Sequence, residues 1–145
     1  MYKKILLAYD GSEAGQKALL SSGDLAQWSQ SELSLIAVMP SSLNVMSVEG
    51  ASYDGELLEI EKRQYQAVLN EGVARLAALG HAVSGKLLTG DPVDQIARHA
   101  RATDADLIVV GHKHLNSWAA RWWSGSISKA LVEHAPCSVL VVIIR

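Results

Sequence analysis

Cysteine occurs once in the 145 residues, at Cys137, so no disulfide can form within the chain and a cysteine-rich zinc site is excluded. Its setting, Ala135-Pro136-Cys137-Ser138-Val139-Leu140, is that of a small buried apolar side chain rather than a reactive thiol, and a reducing cytoplasm is the expected compartment. Net charge is equally scarce. Thirteen Lys and Arg against fifteen Asp and Glu leave a formal charge of -2, too little for an electrostatic nucleic-acid binder or a disordered acidic tail. No apolar run approaches the roughly 20 residues that span a bilayer, so neither nucleic acid nor membrane is an expected partner. The lysine-led opening stretch Ile5-Leu6-Leu7-Ala8 stops at Asp10, short of the apolar region of about 7–15 residues in a signal peptide. There is also no Gly-x-x-x-x-Gly-Lys-[Ser/Thr] loop, which excludes a P-loop hydrolase.

What is present is apolar periodicity in a chain of single-domain length, with one domain expected over residues 1–145. Five short runs rich in branched aliphatics read as strands: Lys4–Ala8, Leu33–Val38, Ala82–Leu88, Leu107–Val110 and Val139–Ile144. Most are continuous rather than alternating, as in strands covered on both faces by helices. Between them lie stripes at helical spacing. Ala14, Ala18, Ser22, Leu25 and Ala26 form the first, and Tyr65, Leu69, Val73, Leu76 and Leu79 the second. Val93, Ile96, Ala97 and Ala100 form the third, and Ile127, Ala130, Leu131 and His134 the fourth. Gly80, Asp91-Pro92 and Ala135-Pro136 punctuate them. Strand and helix in alternation predict an α/β protein with a doubly wound, five-stranded parallel sheet. Pro40–Gly55 reads as a long loop, either surface cover or a ligand lid.

In such a sheet, ligands bind outside the carboxyl ends of the strands. Asp10, just past the first strand, suits a base or ribose hydroxyl, and Asp10 or Ser12 equally suits the cap of the following helix. Gly111-His112-Lys113-His114 follows the fourth strand, and Ser124-Gly125-Ser126-Ile127 opens the last helix with backbone amides that favour an anion. His112 and His114 have no third ligand nearby, so a metal site is not expected. Trp118, Trp122 and Trp123 crowd one short segment, suited to packing on the core, to meeting another subunit or to covering a pocket.

These segments together resemble the universal stress protein family over essentially the whole chain. The resemblance is carried by Ile5-Leu6-Leu7-Ala8-Tyr9-Asp10-Gly11-Ser12, by Gly90-Asp91-Pro92, by Asp104-Ala105-Asp106-Leu107-Ile108-Val109-Val110-Gly111, and by Gly125-Ser126 with Ala135-Pro136-Cys137-Ser138-Val139. It implies a strand order of 3-2-1-4-5 in a three-layer sandwich of the adenine nucleotide alpha hydrolase-like type, and a homodimer made through the last strand, Val139–Ile144.

The resemblance also implies a stress-response module that binds ATP or AMP, with or without Mg2+. Carried over by position, Ala8 and Asp10 would contact base or ribose, and Val38 would offer its backbone to adenine. Gly111, Lys113, Gly125, Ser126 and Ile127 would surround ribose and phosphates, with Ser124 a marginal addition. The family's ATP binders carry Gly-x-x-Gly, nine residues, then Gly-Ser or Gly-Thr. Here His114 stands in place of the second glycine and ten residues precede Gly125. Histidine takes positive φ less readily than glycine and adds bulk beside a phosphate. Two functions follow, a nucleotide-binding module or a nucleotide-free dimeric scaffold, and the altered motif separates them. Robust catalysis is not expected: Lys113 and Arg121 are cations suited to a γ-phosphate, but no general base presents itself.

Overall fold

The structure, a computed structural model, describes residues 2–40, 51–113 and 127–144, with residues 51–54 by their backbone alone. The elements run β1 (Lys4–Ala8), α1 (Glu13–Ser29), β2 (Glu32–Met39), α2 (Ala51–Ala78), β3 (Val83–Thr89), α3 (Pro92–Ala102), β4 (Leu107–Lys113), α4 (residues 127–134) and β5 (Ser138–Ile144). All strand pairs are parallel, in the order β3-β2-β1-β4-β5. This is the doubly wound α/β sheet that the alternation of strand and helix predicts.

Period-two alternation divides the central strand between two cores. Ile5, Leu7 and Tyr9 point to one face and join Ala18, Leu19, Leu69 and Leu76 of α1 and α2. Leu6 points to the other and joins Ile96, Ala100 and Leu131 of α3 and α4, with Ala8 packed at its margin. Both faces of β1 are therefore dry, which explains why its sequence is a continuous apolar run.

Strands β2, β3 and β5 differ from the sequence expectation by one residue at one or both ends, and four further expectations are corrected. Helix α2 begins at Ala51, so the last part of the expected Pro40–Gly55 loop is helical; its first exposed turns, Gly55, Glu56 and Leu57, rest on no core and carry no apolar period to reveal them. Leu79 is 58% exposed, because α2 ends at Ala78 and the chain reverses at Gly80 with φ +92°. His134, expected on the buried stripe of α4, is exposed at the last turn of the helix, where Leu131 carries the contact. Strand β4 runs on through Gly111-His112-Lys113 instead of stopping at Val110, since β5 offers it paired partners out to Ile144.

The extension of β4 brings its end against the first turn of α1. A methyl group placed on Gly111 would lie 2.3 Å from the Ala14 carbonyl oxygen and 2.7 Å from the Gly15 nitrogen, both backbone atoms that cannot move aside. Gly111→Ala is expected to cost about 1–3 kcal/mol through overpacking, read as a lower urea midpoint with an unchanged m-value.

Candidate functional site

At the carboxyl ends of β1, β2 and β4 lies a cavity of about 420 Å³, within the range of roughly 300–1,000 Å³ usual for small-molecule sites. Here α1 leaves β1 on one face of the sheet while α4 follows β4 on the other, the topological switch point at which such folds bind ligands. Its floor continues the second core: Ala8, Ile36, Val38, Val110, Ile96 and Ile127. Its rim is polar, with Asp10, Ser12, Glu13, Tyr65, Lys113 and Ser128. Among the described residues, three larger depressions, of about 690, 580 and 540 Å³, open toward the amino ends of the strands, away from the switch point.

Ser12 is the N-cap of α1, its Oγ accepting from the Gly15 amide at 3.0 Å. Asp10 braces that cap: its Oδ1 accepts from the Ser12 amide at 3.0 Å and from the Ser12 hydroxyl at 2.6 Å. The two readings of Asp10 are thus compatible, because one carboxylate oxygen is spent on the turn while the side chain still borders the cavity. Across the rim, Lys113 Nζ sits 3.3 Å from Glu13 Oε2, joining the end of β4 to the first residue of α1. Burial pushes the Tyr65 phenol up, and Glu61 and Asp10 add to the effect.

Tyr9 closes the cavity from the side of the first core. Only 3% exposed, its ring lies against Gly72 of α2, where an added methyl would come within 2.9 Å of a ring carbon, and near Gly15 of α1. The missing side chain at Gly72 makes room for the ring, whereas at Gly15 an added methyl would meet the Asp10 carboxylate at 2.6 Å. The Tyr9 hydroxyl is buried and makes no hydrogen bond of good geometry among the described residues; the neighbouring Arg75, near enough to act on it, donates to Gln16 Oε1 at 2.9 Å. Burial raises the phenol's pKa, Glu71 and Asp10 reinforce the shift, and Arg75 opposes it.

The structure brings six sequence-predicted residues to one cavity: Ala8, Asp10, Val38, Gly111, Lys113 and Ile127. Ser124, Gly125 and Ser126 lie outside the described residues, as do His114, Arg121, the three clustered tryptophans and residues 41–50 of the expected loop. Gly111 and Lys113 are strand residues rather than loop residues, and the close approach that Gly111 permits is to the α1 backbone. The sequence reading did not find Glu13, Tyr65, Pro92 or Ile96 as lining residues, although Tyr65 and Ile96 stood on predicted buried stripes. Cys137 is half-buried against the second core, and burial, with Asp106 nearby, pushes its thiol up.

The family model described as "Universal stress protein family" matches residues 1–142. The chain belongs to the universal stress protein family. A putative universal stress protein of Staphylococcus saprophyticus is 35% identical over 144 residues, covering 97% of this chain and 83% of that relative. Among solved structures, universal stress protein UspA from Lactobacillus plantarum is 28% identical with a TM-score of 0.79, covering 97% of each chain. A universal stress protein family member from Arabidopsis thaliana, crystallised with AMP bound, shares the fold at a TM-score of 0.72 and 18% identity, covering 99% of this chain and 92% of that one.

A buried hydroxyl without a partner pays its desolvation and gains no bond. Tyr9→Phe is therefore expected to raise the stability of this universal stress protein by about 1 kcal/mol, measured by urea unfolding; a comparable loss would mean that the hydroxyl is satisfied.

Proposed function

We propose that the protein is a stress-response module that binds an adenine nucleotide, AMP or ATP, in the crevice at the carboxyl edge of the sheet, and that it does so without robust catalysis. The observation that carries this is the cavity itself: an apolar floor of Ala8, Val38 and Val110 beside a rim that holds the Asp10 carboxylate. A purine needs apolar surface for its faces and backbone polar groups at its edge, which the end of β2 at Val38 supplies. A ribose needs an acceptor, and Asp10 has a second carboxylate oxygen beyond the one that braces Ser12. The AMP held by the Arabidopsis thaliana protein of the same fold supports the ligand class, and the single cysteine supports a cytoplasmic setting.

The unpaired edge of β5 supports a homodimer. At the opposite edge β3 exposes Ser84, Lys86 and Thr89, polar residues of the kind that discourage edge-to-edge pairing. At β5 the exposed residues include Leu140 at 39% and Ile143 at 45%. Leu140→Glu combined with Ile143→Glu is expected to halve the mass seen by sedimentation equilibrium while leaving the fold intact, since both side chains already face outward.

For the nucleotide site, isothermal calorimetry with AMP and ATP is expected to give saturable binding. Ala8→Leu, which fills the floor of the cavity, is expected to weaken it at least tenfold and to abolish the rise in melting temperature that ligand produces. An absence of heat at millimolar nucleotide, with no shift in melting temperature, would leave the nucleotide-free dimeric scaffold as the function.

A further inference from the structure

Among the described residues that line the cavity, three are charged: Asp10, Glu13 and Lys113. The one ammonium is matched by two carboxylates, and it already lies 3.3 Å from one of them. The approach that makes this pair is built into the fold. Gly111 lets the end of β4 touch the backbone of Ala14 and Gly15, so Lys113, two residues further along the strand, reaches the first residue of α1. Glu13 is held there by its own position, since the amino end of a helix favours a carboxylate in its first turn.

A ligand phosphate that approaches Lys113 must therefore either displace Glu13 or share the ammonium with it. Each additional phosphate charge adds repulsion from Glu13 and from Asp10 at the same rim, and partial exposure softens that repulsion without removing it. A ligand with a single phosphate can seat its nucleoside on the apolar floor and leave the ion pair largely intact. A triphosphate brings more negative charge to the same pair.

We infer that Glu13 is a specificity-determining residue which, by holding Lys113, sets the crevice against the outer phosphates and in favour of nucleoside monophosphates. This rests on the nucleotide reading of the cavity, and the test separates the two.

Affinities for adenosine, AMP and ATP are measured by calorimetry in EDTA, with wild type, Glu13→Gln, Lys113→Met and the double variant. Glutamine keeps the shape of the side chain and removes its charge. The expected result is that wild type binds AMP at least as tightly as ATP, and that Glu13→Gln raises the ATP-to-adenosine affinity ratio by roughly three- to tenfold. That gain should shrink at high salt and disappear in the Lys113→Met background. Adenosine bound by wild type with the ratio unchanged in Glu13→Gln overturns the inference and leaves the nucleotide reading standing. A gain that persists without Lys113 also overturns it, since Glu13 would then act by repulsion alone. Failure of adenosine, AMP and ATP alike to bind wild type overturns both.

Discussion

The contact on which the carboxyl edge depends is backbone against backbone: the end of β4 at Gly111 laid on the first turn of α1 at Ala14 and Gly15. Any side chain at Gly111 would hold these two elements apart. With none there, the last three residues of β4 are paired with β5 and Lys113 meets Glu13. The helix start is fixed from the other side by Ser12 capping Gly15 and by Asp10 bracing Ser12. Fold and site share these atoms, so the turn that starts α1 cannot be altered without altering the rim.

The same economy of side-chain volume governs the first core. Tyr9 lies in a slot made by the absence of a side chain at Gly72, and its ring packs in the first core with residues of both helices while its hydroxyl is left without a bond of good geometry among the described residues. Tyr9 belongs to the packing of α1 and α2 as much as to the wall of the crevice. The second core is conventional by comparison: Leu6, Ile36, Ile108 and Leu131 fill it without polar atoms. The floor of the cavity, which continues this core, is accordingly apolar.

Much of the architecture was legible in residue order alone. Continuous aliphatic runs alternating with helical stripes specify a parallel sheet covered on both faces, and the family resemblance specifies the strand order. What failed did so where packing, not pattern, decides. Gly55, Glu56 and Leu57 near the start of α2 are exposed and carry no apolar period, and β4 runs past Val110 because β5 is there to pair with it. Ala8, Asp10, Val38, Gly111, Lys113 and Ile127 share one cavity because they follow strands or open a helix at the switch point, while the ligand roles expected of them come from the family resemblance. Glu13 was not legible in the sequence, because an acidic residue in a first helical turn is so common that it signals only a helix start. Its partner is a hundred residues away, and only the three-dimensional contact at Gly111 makes them neighbours.

The two borders of the sheet are chemically unlike, one guarded by a lysine and hydroxyl side chains, the other greasy. In the language of assembly, the sheet formed by the described residues offers one apolar edge, a valence of one if strands are added there. A strand added at β5 finds no second site of the same kind at β3, and if the added strand belongs to another copy, both copies have used their single open edge in meeting. Growth by edge pairing then terminates at the first step, and the geometry that permits association denies it the head-to-tail repetition from which fibres are made.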